Sequence, residues 1–266
     1  MSIHPSASID PGAQLGERVT VGPGAVIASG AVIGDGCIIG PHAVIYGCVT
    51  MGPDCHVHAG AVIGDTPQDV AFKPGVKSYV RIGARTELRE GMTIHRGTKE
   101  GTETVVGDDC LLMGYCHLAH NVKIGNKVIC VNGVLLAGYV DVGDGAFVSG
   151  NAVVHQFCRI GRLAIVGGLS AITKDVPPFC MTRSGSMSLV VGLNVIGLRR
   201  NGFTPAQRTS IRSCLDILYK QGLNVSQAVE VLQQRADDPY AREFIDFIAA
   251  SRRGLCKFSA RGDEEE

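Results

Sequence analysis

Aliphatic side chains recur at every sixth residue from Ile3 through Ile9, Leu15, Val21, Ile27, Ile33, Ile39, Ile45, Met51, Val57 and Ile63. The register breaks, resumes at Val76, Ile82, Leu88 and Ile94, and then holds from Val106 through Leu118, Leu136 and Val154 to Ile172. The fifth residue of a hexad is usually small or β-branched, as at Ala7, Ala25, Ala43, Cys55, Cys110, Val128, Ala152 and Ser170. A period of six fits neither the 3.6 of a helix nor the 2 of a long strand. It fits a parallel β-helix, in which each hexad is one flat face of a triangular coil. The 27 hexads then make about nine coils of 18 residues, with neighbouring strands ~4.8 Å apart.

The expected fold class is therefore an all-β parallel β-helix followed by a small α-helical C-terminal domain. A left-handed winding is expected by analogy with other hexapeptide proteins, against the usual right-handed crossover. The β-helix is assigned to residues 1–178 and a linker with the helical domain to residues 179–266. Residues 69–75 shift the register by one and must loop out; residues 100–105 keep it but begin with Glu100, which predicts an outward bulge. Loops on a rigid scaffold are where binding residues concentrate. Beyond Pro177–Pro178 the period stops. Thr204–Pro205, Asn224 and Asp238–Pro239 each read as a helix start, with Pro favoured at the first helical position. The final Arg261-Gly262-Asp263 and three glutamates are expected to form a disordered tail.

Composition narrows the function classes. Aromatic content is 5% with no Trp and 35 Gly, which suits a thin core between closely stacked coils. Formal net charge is zero, so no global electrostatic argument for nucleic acid exists. The ten cysteines form no CxxC pair, and most of those within the repeats fill the fifth hexad position, so they read as small buried hydrophobes in a reducing compartment. The opening MSIHPSASID has neither the charged nor the apolar region of a secretory leader. No apolar run approaches the ~20 residues of a membrane span, so a cytoplasmic location is expected.

The 18-residue multiple of the period brings chemistry together. His120, Gly138 and Gln156 are each third in their hexad and should lie on one edge. His117 precedes that corner and His155 adjoins Gln156. A glycine beside a histidine lets a substrate carbonyl approach a main-chain N–H. An imidazole is a natural general base for a hydroxyl or amine attacking an acyl group. Spacing alone leaves the reaction class open, since isolated corner histidines are ordinarily solvated.

Five ordered stretches add specificity: Ile94-His95-Arg96-Gly97-Thr98, His117-Leu118-Ala119-His120-Asn121, Val154-His155-Gln156-Phe157, Asp175-Val176-Pro177-Pro178 and Gly197-Leu198-Arg199-Arg200. With Pro67-Gln68-Asp69 and the helical tail, they resemble the UDP-N-acetylglucosamine O-acyltransferases of lipid A biosynthesis. The resemblance implies transfer of a 3-hydroxyacyl group from acyl carrier protein to the sugar 3-hydroxyl. It implies His120 as general base and Gly138 as the oxyanion N–H. His117, Gln68 and Asp69 would contact the sugar; Gln156, Asn194 and Arg200 would hold the nucleotide; His155 would line the same cleft. Gly168 falls at the family's acyl-chain ruler position. The resemblance further implies a homotrimer with clefts between subunits, a carrier-protein thioester as co-substrate, and no metal or bound cofactor.

Departures from the family pattern lie around this site. Asn121 follows the base where the family often has Asp, Tyr139 stands where His is common, and Ala71 replaces a frequent lysine, with Lys73 nearby. Arg159, Arg162 and Lys174 are candidates for carrier-protein docking. Three rival readings follow. A sister N-acyltransferase, or another enzyme with a 3-amino acceptor, would share the fold; the N-acyltransferase carries an additional N-terminal uridine-binding domain, whereas hexads here begin at Ile3. A γ-carbonic-anhydrase-type zinc enzyme would use His95, His117 and His120, but it usually has four residues between its last two histidines, whereas only two separate His117 from His120. A non-catalytic scaffold should have lost His120 or Gly138.

Overall fold

In the computed structural model, residues 1–259 are described, and the expected tail at 261–266 lies outside them. Short strands, most of them two residues long, stack into three sheets of twelve, nine and eight strands. Each sheet takes every third strand, so successive hexads turn a corner onto the next wall. The pairing is parallel in steps of 18 residues, as in Ser8↔Val26 and Val26↔Val44. The second residue of each strand points inward; Val21, Ile27, Ile33, Ile39 and Ile45 are at most 2% exposed. Ala25, Ala43 and Cys55 from the fifth position complete the core at 0–1%.

The corners depend on backbone conformation. The fourth hexad residue takes a positive φ in coil after coil, at Gly24, Gly36, Gly91 and Gly133, but also at Asn121 (61°), Tyr139 (61°) and Phe157 (65°). This left-handed region is expensive for residues with a Cβ, and most of all for bulky ones. Repeated corners hold it through coil-to-coil bonds, such as Tyr139 N–H donating to the His120 carbonyl (3.1 Å) and Phe157 N–H to Gly138 O (3.1 Å).

Two excursions break the walls. Across the first, Val80 pairs with Val49 and Ile82 with Met51, 31 residues apart instead of 18, so thirteen residues leave the wall. Val76 lies in this excursion, half-buried and outside the strands; the core register resumes at Val80 and Ile82 rather than at Val76. Across the second, Tyr79 pairs with Glu103, 24 residues apart, so six residues leave the wall. The chain turns over 98–102 and is back in a strand at Glu103–Val106, so the bulge is earlier than residues 100–105. The reason is Thr104: fully buried, it donates to His95 O (2.6 Å) and accepts from Asn121 N–H (2.8 Å). The excursions are joined where Lys77 N–H donates to the Glu100 carboxylate (2.9 Å).

The sheet does not stop at Pro178. Cys180–Thr182 pairs antiparallel with Leu189–Leu193, and Lys257–Phe258 adds a parallel strand beyond it. These strands cover a sheet edge that the end of the hexads would leave open. Four helices follow: α1 (Val195–Arg200), α2 (Pro205–Tyr219), α3 (Val225–Gln233) and α4 (Pro239–Ala249). Thr204 and Asn224 each cap with a reciprocal capping box through Gln207 and Gln227, and Asp238 caps α4. The helix α1, six residues capped by Asn194, was too short to show a period. Its buried Leu198, with Ile211, Leu215 and Phe244, packs into the same core as Val176 and Phe179.

Arg159, Arg162 and Lys174 are committed to this packing. Arg159 donates to Phe247 O (3.0 Å) and lies over the Phe247 ring; Arg162 forms a two-bond pair with Glu243; Lys174 reaches Arg253 O (3.5 Å). They join the β-helix to the helices. All ten cysteines are free and nine are buried. Among the described residues no helix is long and apolar enough to cross a membrane.

Candidate active site

His120, Gly138 and Gln156 share one edge of the prism and line a groove of about 390 Å³ with Gln68 and His117. Its apolar wall is Leu135, Leu136, Val153 and Val154, with Ala119 and Ala137. The His120 ring lies against Gly138: a Cβ built there would come within 2.4 Å of Cε1 and 2.7 Å of Nε2. Only glycine permits that approach. Among the described residues the Gly138 N–H donates to no main-chain or side-chain acceptor, which leaves a donor beside the imidazole.

The orientation of His120 follows from its neighbours. Asn121 Oδ1 accepts from the Thr98 N–H (3.1 Å) and the Thr98 hydroxyl (3.0 Å). A backbone N–H can only donate, so the amide oxygen, not the nitrogen, must face it. That same oxygen lies 3.2 Å from His120 Nδ1. The neutral imidazole therefore carries its proton on Nδ1, which leaves Nε2 as the basic nitrogen. With Thr98 Oγ1 spending its proton on Asn121, Tyr139 Oη (3.1 Å) is the donor to Thr98. The Tyr139 ring meets His120 edge-on at 5.4 Å and stacks on Phe157 at 5.0 Å. Support from the Asn121 amide was open to a reading of the sequence, since Asn121 follows the base; the part played by Thr98 and Tyr139 was not read from it. The 18-residue column Asn121, Tyr139, Phe157 was its available signal.

His117 shares a hydrogen bond with the Thr93 hydroxyl at 2.6 Å and meets His95 edge-on at 4.7 Å. Burial, reinforced by the His95 and His120 imidazoles, lowers the His117 pKa to about 4. Burial lowers His95 as well, with Asp65 opposing it. Both rings are thus held neutral in the folded chain, while in the unfolded chain they protonate near the ordinary ~6.5. Their stabilising contribution is complete above that value and is lost as pH falls from ~6.5 toward 4. One such proton gives a slope of at most ~1.4 kcal/mol per pH unit. Denaturant titrations between pH 7 and 4.5 should show His117→Gln losing stability less steeply than wild type. Equal slopes would remove His117 from this account.

Other expected site residues lie elsewhere. Asp69 accepts from Ala71 N–H (2.8 Å) within the first excursion and does not line the groove. The excursion leans back through Phe72, whose ring lies under Arg96 at 5.5 Å. His155 is exposed, its Nδ1 against Gln156 O at 3.1 Å. Asn194 is buried and committed: Oδ1 caps Gly197 N–H and Nδ2 donates to Leu163 O, both at 2.8 Å. Arg200 is exposed at the end of α1, and Gly168 is half-buried away from the groove lining. His95, His117 and His120 do not converge as a metal-ligand set; among the described residues the group that does is His56, His58 and Glu87.

Comparison with known proteins bears on this arrangement. Residues 175–256 match the family model described as Udp N-acetylglucosamine O-acyltransferase, Domain 2, and residues 1–35 and 30–65 match that of the bacterial transferase hexapeptide. A Halorhodospira halophila protein named acyl-(acyl-carrier-protein)–UDP-N-acetylglucosamine O-acyltransferase is 44% identical over 257 residues, 96% of this chain and 99% of its own. A Synechocystis protein of the same name is 44% identical over 185 residues, 70% of this chain and 66% of its own length. The crystal structure of Francisella novicida UDP-N-acetylglucosamine acyltransferase superposes with a TM-score of 0.94 at 36% identity, covering 98% of this chain and 95% of that one.

Proposed function

The chain belongs to the UDP-N-acetylglucosamine O-acyltransferase family, and from that premise we propose that it transfers a 3-hydroxyacyl chain from acyl carrier protein to the 3-hydroxyl of UDP-N-acetylglucosamine, in lipid A biosynthesis. The observation that carries this reading is the His120 ring seated against Gly138, with the unpaired Gly138 N–H and the imidazole lining one open groove. His120 Nε2 takes the proton of the sugar hydroxyl as its oxygen attacks the thioester carbonyl. The Gly138 N–H donates to the oxyanion as charge develops there. Collapse of the adduct breaks the carbon–sulfur bond, and the proton held by His120 passes to the departing thiolate. Gln68 and His117 would contact the sugar and Gln156 the nucleotide, a reading supported by all three lining the one groove. The neutral state of His117 suits hydrogen bonding rather than charge pairing.

A homotrimer accounts for the residues outside one chain's groove, since Asp69, His155, Asn194, Arg200 and Gly168 would contribute across clefts between copies. Its support is the uneven decoration of the walls. Val26, Leu135 and Val153 are 39–45% exposed on the nine-stranded sheet, whereas Arg81, Lys123, Asp141 and Arg159 decorate the eight-stranded sheet. In this reading the walls wind left-handed in about nine coils over residues 1–178, residues 179–266 form the helical domain, and the protein works in the cytoplasm without a cofactor. With Arg162 and Lys174 tied to the C-terminal segment, Lys99, Lys123, Arg159 and Arg252 around a cleft of about 510 Å³ are better placed to receive the carrier protein.

Mass spectrometry of the product formed from UDP-N-acetylglucosamine and a mixture of carrier-protein thioesters tests the reaction and its chain length together. A sugar ester of one preferred length is expected; acylation only of a 3-amino analogue would displace the proposal. The same assay tests Gly168. Its backbone lies outside the left-handed region, and a Cβ would meet Gly150 O at 3.4 Å and Ser149 Cβ at 3.7 Å, so a side chain is sterically admissible. Gly168→Met should shift the preferred acyl chain to a shorter one with the enzyme still active. An unchanged length would take Gly168 out of the acyl channel.

A further inference from the structure

A second cluster of histidines lies on a different wall from the His117 strand. His56 points outward from the strand His56–Val57 in the twelve-stranded sheet, and its register partner on the adjacent strand is Glu87. The next outward group is His58, whose ring stacks on His56 at 3.8 Å between centroids. One ligand atom from each of His56, His58 and Glu87 lies within 4.8 Å of the other two, and all three residues are half-buried. We infer that His56, His58 and Glu87 form a binding site for a divalent transition-metal ion, with zinc the best match to the ligand types.

The surroundings of His58 support the assignment. Its Nε2 faces Glu87 Oε1 at 2.9 Å, and its Nδ1 faces Glu90 Oε1 at 3.4 Å. With an ion bound through Nε2, Glu90 is placed to receive the Nδ1 proton and fix the ring. A carboxylate behind a ligating imidazole is the usual outer support of a metal histidine. Two imidazoles and a carboxylate suit zinc in a four-coordinate site with one open position.

Arg89 opposes the ion. Its guanidinium contacts Glu87 (3.4 Å) and Glu90 (2.9 Å), so it balances the carboxylates in the free chain and competes with a cation. The location gives the ion a structural consequence. His56 and Glu87 are bridged by 31 positions of chain that include the thirteen-residue excursion carrying Gln68. An ion joining them would tie together the two coils that flank that excursion.

The test uses the full chain stripped with a chelator and titrated with zinc, followed by calorimetry, bound-metal analysis and thermal unfolding. Wild type should bind one zinc per chain and unfold at higher temperature with it. His58→Gln and Glu87→Gln should each lose at least tenfold in affinity, Glu90→Gln about 10–100-fold, and Arg89→Gln should bind several-fold more tightly. Each variant's unfolding temperature in chelator reports whether it folds, so at least one folded ligand variant will decide. Zinc bound equally by wild type and by folded His58→Gln or Glu87→Gln would overturn the site, as would a wild type that binds none.

Discussion

Replacing His120 by Ala should lower kcat/KM for carrier-protein thioester by ~10²–10⁴, the usual worth of a general base, while the fold stays intact. The ring is half-buried at a corner, and the core beneath it is supplied by Leu118 and Val122, both at 0% exposure. Its removal therefore opens no core cavity, and a change in unfolding temperature should be small. Residual activity should persist, because the Gly138 donor and the binding groove remain. The same substitution in a scaffold with a solvated corner histidine would be nearly silent. Steady-state kinetics with circular dichroism separates the cases: a variant within a few-fold of wild type would end the role of His120, and an unfolded one would turn attention to His120→Gln.

The repeat made one class of fact legible in the sequence and hid another. Positions 18 apart stack, so His120, Gly138 and Gln156 were recoverable as a column, and the closeness of imidazole to glycine followed from that column. The caps at Thr204, Asn224 and Asp238 were legible because capping is local chemistry. What was hidden depends on the third dimension. Tyr139 read only as a departure from the family pattern and Phe157 only as part of a matching motif, yet the corner holds both left-handed and stacks them on each other beside the base. Thr98 sits in an excursion whose return path is decided by the buried hydroxyl of Thr104, so no period could place it over Asn121. Val76 kept hexad spacing within a segment that had already left the wall. Arg159 and Arg162 looked free because their partners, Phe247 and Glu243, are more than 80 residues away in sequence.

Gly138→Ala should fold like wild type and lose ~10²-fold or more in kcat, close to the cost of removing an oxyanion donor, although the Gly138 donor itself remains. The backbone at 138 lies outside the left-handed region, so alanine brings no conformational strain of its own. The collision is with the His120 ring, at 2.4 Å to Cε1 and 2.7 Å to Nε2, below any ordinary carbon contact. A side-chain ring yields more readily than backbone, so stability should change little. The ring cannot yield without leaving Asn121 Oδ1, which fixes its Nδ1 proton at 3.2 Å. Movement therefore misaims Nε2 and frees the tautomer together. Because the methyl would act only through His120, its effect should vanish once that ring is gone. His120→Ala with Gly138→Ala should be no slower than His120→Ala alone, the strong non-additivity expected of residues acting as one unit. If the two losses multiplied instead, position 138 would be acting through its own donor and not by seating the imidazole.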